Sequence, residues 1–382
     1  MIYVHIPFCR SFCTYCDFYS EIASRCGVDE QNKFALFADA LSQEIVLRSD
    51  EITDEVNTLY IGGGTPSVLP LSVFESLLAM LKGIGHGGPF EEFTVEVNPE
   101  DIVEKGEEYV EGLLKLGVNR VSMGVQSFDD GILRWMNRRH DSETARKAYR
   151  ILERAGVSNI SIDLIFGLSQ LTDSQWNETL DKALGISSNG AMPQHISSYQ
   201  LSVEPGSALA KLVDRGQWTE APEELCSRQY DILCNRLREA GYHHYEISNF
   251  AQPGYEAVHN SAYWKHCPYV GLGPGAHSFL SGTSRQWNEA DIGQYMLAAK
   301  NRDFSSVQGG ESLTQDQLVL ERIMLGLRTS AGLSEIFMRA HCDNELIEES
   351  LRTGNLERMT DGMIRIPENR FFISDNIISS II

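Results

Sequence analysis

The chain has 382 residues, 42% of them apolar and 22% charged, a length and composition that predict a large soluble domain with a smaller one attached and exclude a disordered or fibrous protein. Its formal charge of -21 opposes the attraction that phosphate backbones and anionic lipids require, which argues against nucleic acid as a partner. No apolar run approaches the roughly 20 residues of a transmembrane segment, and the opening stretch lacks a signal peptide's charged start and long apolar run, so a cytoplasmic protein is predicted.

Short β-rich runs, each ending in a loop and followed by a helical pattern, recur through the first half. They are Tyr3–Ile6, Thr58–Ile61, Phe93–Val97, Arg120–Val125, Ile160–Ile165 and His195–Tyr199. The stretches between them include the amphipathic Phe34–Leu41 and Tyr109–Leu116, the latter stopped by Gly117. Repeated strand–helix units with right-handed crossovers predict an α/β fold, a full or partial TIM-type β/α barrel over residues 1–248. Active sites of such barrels gather at the C-terminal ends of the strands. Residues 205–245 read as helical, and 249–305 as an irregular connector rich in Gly, Pro, His and aromatics. Over 306–382 a helical pattern returns at Gln317–Leu327 and Glu345–Leu351, followed by the β-like Met363–Ile366 and Arg370–Ile373. A smaller C-terminal helical domain with a terminal hairpin is expected.

Of the eight cysteines, Cys26, Cys226, Cys234, Cys267 and Cys342 are scattered and read as buried thiols packing like small hydrophobes. A disulfide framework is unusual in a long reduced chain. The other three form Cys9-x3-Cys13-x2-Cys16, directly after the first strand. Three thiolates suit an iron–sulfur cubane whose fourth iron stays open to a small molecule. A zinc site asks for a fourth Cys or His close by, and His5 is the only near candidate. Gly62–Pro66 follow the second strand, where glycines either let the backbone approach a ligand or make a plain turn. Glu96, Gln126 and Asp163 are polar residues near the ends of otherwise apolar strands, and a buried acid needs a partner.

At Cys9–Cys16, with Tyr15 in the aromatic position, the sequence resembles the radical S-adenosylmethionine (SAM) superfamily. That resemblance implies a 4Fe-4S cluster on Cys9, Cys13 and Cys16, with SAM chelated at the open iron and receiving one electron from it. Gly63, Gly64 and Thr65 resemble the segment that meets the methionine end of SAM. Glu96, Gln126 and Asp163 fall where the family places SAM contacts, as does Tyr3, and Arg138 falls where a partner for the SAM carboxylate is expected. Tyr15 packs near the adenine or covers the cluster.

The segments Tyr3–Cys9, Gly62–Pro66, Glu96–Pro99, Gly124–Phe128, Ile162–Leu168 and Val270–Ala276 together resemble the oxygen-independent coproporphyrinogen III oxidase group. Its decarboxylating members resemble one another in a further cysteine two residues after the third, and here that position is Phe18; they also carry an N-terminal extension, whereas this sequence starts almost at the cluster strand. The HemW family of heme chaperones is similar in lacking that cysteine and in bearing His-Asn-x-x-Tyr-Trp, here His259–Trp264. This implies heme as a further cofactor, an apo-hemoprotein recipient such as a respiratory cytochrome, and an electron donor. The alternative is oxidative decarboxylation of a porphyrinogen, coproporphyrinogen III. His259 is the candidate heme ligand, with Tyr263 and Trp264 stacking on the porphyrin; a packed, hydrogen-bonded histidine is the other reading. The C-terminal region resembles the group's winged-helix-like domain, and in so acidic a chain it reads as a lid or partner surface.

Overall fold

A computed structural model describes residues 1–23, 30–52, 57–280 and 282–382. The chain opens with β1 (Ile2–Ile6), and a short parallel pair, β2 (Phe8–Cys9) and β3 (Glu21–Ile22), flanks the cysteine loop. Strands and helices then alternate: α1 (Glu30–Leu47), β4 (Thr58–Gly63), α2 (Leu71–Gly83), β5 (Glu92–Val97), α3 (Pro99–Lys115), β6 (Arg120–Gln126), α4 (Asp130–Trp135), α5 (Ser142–Ala155), β7 (Ile160–Phe166), α6 (Asp173–Leu184) and β8 (His195–Gln200). The six strands β1 and β4 to β8 pair in parallel, each with the next. The predicted strands are therefore present to within a residue or two.

Helix boundaries follow local chemistry. Asp129 and Asp141 cap α4 and α5 by accepting backbone N–H groups, and Thr172 with Gln175 forms a reciprocal capping box at α6. α3 begins well before the predicted Tyr109 and is interrupted at Gly106, which takes a φ of 72°.

The expected helical stretch 205–245 divides into α7 (Ala208–Asp214) and α8 (Glu223–Glu239), separated around Gly216 and Pro222, and ends in β9 (His243–Glu246). β10 (Asn249–Ala251) follows, then α9 (Val258–Trp264) and β11 (Val270–Leu272). These late strands join the main sheet, whose order is β11-β1-β4-β5-β6-β7-β8-β10-β9. β11 lies parallel to β1, while β10 runs antiparallel to β8. The result is a partial TIM-type barrel, open between β11 and β9.

A second sheet joins β12 (His277–Phe279), β13 (Ser284–Asn288) and β14 (Gln308–Ser312), with α10 (Ile292–Asn301) inserted before β14. The C-terminal domain carries α11 (Gln315–Gly326), β15 (Leu333–Ser334), α12 (Glu335–His341), α13 (Asn344–Thr353), β16 (Glu357–Arg358), β17 (Met363–Arg365) and α14 (Ser374–Ser379). The terminal hairpin does not form. β17 pairs with β15 and β16, and Glu368–Ile373 winds into a 3₁₀ helix after Pro367, which buries Phe371 completely.

Strand parity positions the site. Phe93, Val95, Val121, Met123, Ile162 and Leu164 are buried in the apolar core beneath the helices. Their neighbours Glu96, Arg120, Ser122, Asp163 and Ser197 line the barrel interior instead. Among the scattered cysteines Cys226 and Cys234 are buried and Cys267 and Cys342 half-buried; Cys26 lies outside the described residues.

Candidate functional site

A cavity of about 910 Å³ opens at the C-terminal ends of the strands. The loop between β2 and β3 brings Cys9, Cys13, Tyr15 and Cys16 to one end of it. The loop is held by protein contacts: Thr14 N–H donates to Met136 O at 3.0 Å, its hydroxyl to Trp135 O at 2.9 Å, and Asn137 Nδ2 to Phe12 O at 2.7 Å. Burial pushes the Cys9 thiol up and the Cys16 thiol up to about 12, the neighbouring thiols adding to both. Metal coordination offsets that cost by stabilising the thiolates. Among the described residues no three His, Cys, Asp or Glu side chains converge tightly enough to chelate one metal ion. The three thiols line one cavity, and a cubane takes each of its cysteine ligands on a separate iron.

β4 supplies the next wall. Gly63 has a φ of 103°, and a Cβ there would come within 2.6 Å of the His5 ring; one on Gly64 would come within 2.8 Å of Ile6 O. The backbone therefore passes close against the end of β1, with Thr65 Oγ1 at 3.2 Å from Cys9 Sγ. Glu96 on β5 accepts from Tyr60 Oη at 2.7 Å and Gly63 N–H at 3.2 Å. Burial, with nearby Asp163 adding to it, nonetheless pushes its carboxyl up to about 7.

On β6, Gln126 takes a φ of 66° at a register shift in its pairing with β7, a bulge that re-aims its side chain. Arg138 reaches back from the loop after α4: Nη1 lies 3.4 Å from Cys13 Sγ, and Nη2 is 2.7 Å from both Asn98 Oδ1 and Gly124 O. Asp163 on β7 accepts from Ser122 Oγ at 3.1 Å, and burial raises its pKa.

The structure thus brings Cys9, Cys13, Tyr15, Cys16, Gly63, Gly64, Thr65, Glu96, Gln126, Arg138 and Asp163 around one cavity. Two expected residues stand apart. Tyr3 lies behind the wall, its hydroxyl 3.1 Å from His5 Nδ1 and its ring beside Tyr60. His259 is fully buried, with Nδ1 at 2.8 Å from Thr58 Oγ1 and Nε2 at 3.0 Å from the Tyr263 hydroxyl. Both ring nitrogens are engaged and burial lowers its pKa to about 3, the arrangement of the packed, hydrogen-bonded alternative. Its neighbour Asn260 does line the cavity.

Tyr60, Asn98, Arg120 and Tyr199 also line the cavity and escaped the sequence reading. Strand parity was the available signal for Arg120, which lies an even number of residues before the expected Gln126 on the same strand.

The pattern of the Radical SAM superfamily matches residues 3–183. The heme chaperone HemW of Mycobacterium tuberculosis is 31% identical over 382 residues, covering 100% of this chain and 94% of its own. The protein of the same name from Lactococcus lactis is 33% identical, with 98% and 97% covered.

This chain belongs to the HemW family.

That membership implies a 4Fe-4S cluster and SAM as cofactors. In Bacillus subtilis a HemW relative is 34% identical, covering 87% of this chain and 84% of its own. Among solved structures, the coproporphyrinogen III oxidase HemN of Escherichia coli superposes with a TM-score of 0.81 at 22% identity, covering 99% of this chain and 89% of the other. That likeness extends the shared fold through the C-terminal helical domain.

Proposed function

We propose that the chain is a heme chaperone that binds heme and hands it to an apo-hemoprotein, such as a respiratory cytochrome, under the control of its cluster and SAM. Cys9, Cys13 and Cys16 hold the cluster, and Gly63, Gly64, Thr65, Glu96, Gln126, Arg138 and Asp163 receive SAM, with Tyr15 beside it and Tyr3 bracing the wall. An electron donor serves the cluster, and a cytoplasmic setting fits thiols that must stay reduced.

Phe18 carries this reading. It stands where the decarboxylating oxidases are expected to carry a further cysteine, it lines the cavity, and it is 66% exposed. A phenyl ring supplies neither a metal ligand nor a proton, but it offers a flat apolar face to a porphyrin. Phe12, on the same loop and 44% exposed, adds a second such face. The name carried by the relatives supports the same conclusion.

Two measurements test it. Anaerobic incubation of the reconstituted protein with coproporphyrinogen III, SAM and reductant is expected to yield no protoporphyrinogen; robust turnover establishes the decarboxylase instead. Titration with heme is expected to give a saturable spectral change in the wild type that His259→Ala leaves intact, because that imidazole is committed to Thr58 and Tyr263. Loss of the heme spectrum in His259→Ala, with the fold preserved, returns His259 to the ligand set.

A further inference from the structure

Asn98 ends the loop from β5 and stands at the N-cap of α3, immediately before Pro99. An asparagine there ordinarily turns its side chain onto the first free N–H groups of the helix. This one makes no such bond. Its amide faces the cavity, where Oδ1 accepts from Arg138 Nη2 at 2.7 Å and Nδ2 donates to Thr65 Oγ1 at 3.2 Å. Its backbone is pinned, because Asn98 N–H donates at 3.0 Å to Ser67 Oγ, which itself donates at 2.7 Å to buried Asp101.

We propose that Asn98 is a positioning residue that sets the reduction potential of the cluster by aiming the Thr65 hydroxyl at Cys9. The inference rests on the reading of Cys9, Cys13 and Cys16 as the cluster ligands. A guanidinium has no acceptor, so Arg138 fixes which end of the amide is oxygen. The opposite end must then donate, and Thr65 Oγ1 receives that proton. A thiolate has no proton of its own, so once Cys9 binds iron the 3.2 Å contact runs from the Thr65 hydroxyl to the sulfur. Every bond in the series points the same way, from Arg138 through Asn98 and Thr65 to Cys9. Arg138 also donates directly to Cys13 Sγ. One amide therefore ties together the donors that reach two of the three sulfurs. Hydrogen bonds to cluster sulfurs stabilise the added electron and raise the potential.

Asn98→Asp is the discriminating variant. It is close to isosteric and keeps the partner of Arg138, but the new carboxylate only accepts, so the Thr65 hydroxyl turns toward it and leaves Cys9. Thr65→Val removes the hydroxyl without adding charge, and Thr65→Ser retains it. The full chain is reconstituted anaerobically, assayed for iron and sulfide, and titrated potentiometrically with the reduced cluster followed by electron paramagnetic resonance, without SAM.

The expected result is a wild-type iron and sulfide content in all variants. Asn98→Asp and Thr65→Val should shift the oxidised-to-reduced ratio about tenfold at a fixed potential, ~59 mV more negative for one electron, while Thr65→Ser stays at the wild-type value. Unmoved potentials in Asn98→Asp and Thr65→Val overturn the inference and leave the cluster reading intact. A shift in Asn98→Asp alone overturns it too, because added charge then suffices. A wild type that takes up no iron and sulfide overturns the cluster reading and this inference together.

Discussion

Glu96 is an acid whose proposed ligand role and contribution to stability pull in opposite directions with pH. Burial raises its carboxyl to about 7, against the hydrogen bonds from Tyr60 and Gly63, so folding favours the protonated form when no ligand is present. That contribution to stability is complete below the ordinary carboxylate range and is lost as the pH rises through about 7. On the proposed role of Glu96, binding of SAM runs the opposite way, because a cationic amine pairs with the ionised form. Affinity for SAM is therefore expected to rise as much as about tenfold per pH unit below that point and then level off. Equilibrium titration at several pH values checks this, and Glu96→Gln should flatten the slope while weakening binding; a slope that survives the substitution assigns the titration to another group. Glu96 was legible because an acid inside an apolar strand has few uses beyond a ligand or ion pair. Asn98 was not, since asparagine before proline at a helix start reads as an ordinary cap, and only the three-dimensional partners Thr65 and Arg138 reveal otherwise.

Among the elements, α1 and β11 are held together by one buried carboxylate. Glu44, fully buried on α1, accepts from Arg48 Nη1 at 3.1 Å, Gly273 N–H at 2.8 Å, Asn288 Nδ2 at 2.7 Å and Tyr295 Oη at 2.6 Å. It thereby anchors the loop after β11, the end of β13 and α10 to the barrel. Glu44→Ala leaves Arg48 as a buried charge without this partner, a change that costs about 3–5 kcal/mol. The denaturant midpoint should fall accordingly without a change in the strands' circular dichroism; a shift smaller than about 1 kcal/mol would show that Glu51, 2.6 Å from Arg48, suffices. None of this was readable from the chain, where Glu44 looks like one acid among many on a helix face. β11 was hidden for a related reason. Three residues with Gly271 at their centre and Gly273 after them carry no usable period, and the partner that defines them as a strand, Ile2–Val4, lies far away near the start of the sequence. The six parallel strands were visible because each is a longer apolar run whose partner is the next unit along. The terminal hairpin failed because Arg370–Ile373 has the composition of a strand but meets helix α8 instead, where Phe372 packs on Tyr230.

At the scale of the whole molecule, the three clustered cysteines line the cavity and stand outside the apolar core. The apolar layer under the helices draws on residues such as Phe93, Val121, Met123 and Ile162, none of which depends on a metal for its packing. The cysteine loop is likewise held from several sides, by Trp135 and Met136 at the C-terminal end of α4 and by the Leu209 N–H, which donates to Thr14 O at 2.8 Å. In a domain stapled by a structural metal, binding energy is folding energy, and chelation unfolds the chain. Here the two are separable. Stripping iron anaerobically should abolish the cluster's visible absorption and the response to SAM while a cooperative thermal transition persists, its midpoint lowered only by the binding energy withdrawn. Calorimetry of reconstituted and chelator-treated protein makes the comparison. A chelated chain without a cooperative transition would mean that the metal builds the barrel, and the three thiolates would then have to be read as a structural staple in place of a redox centre.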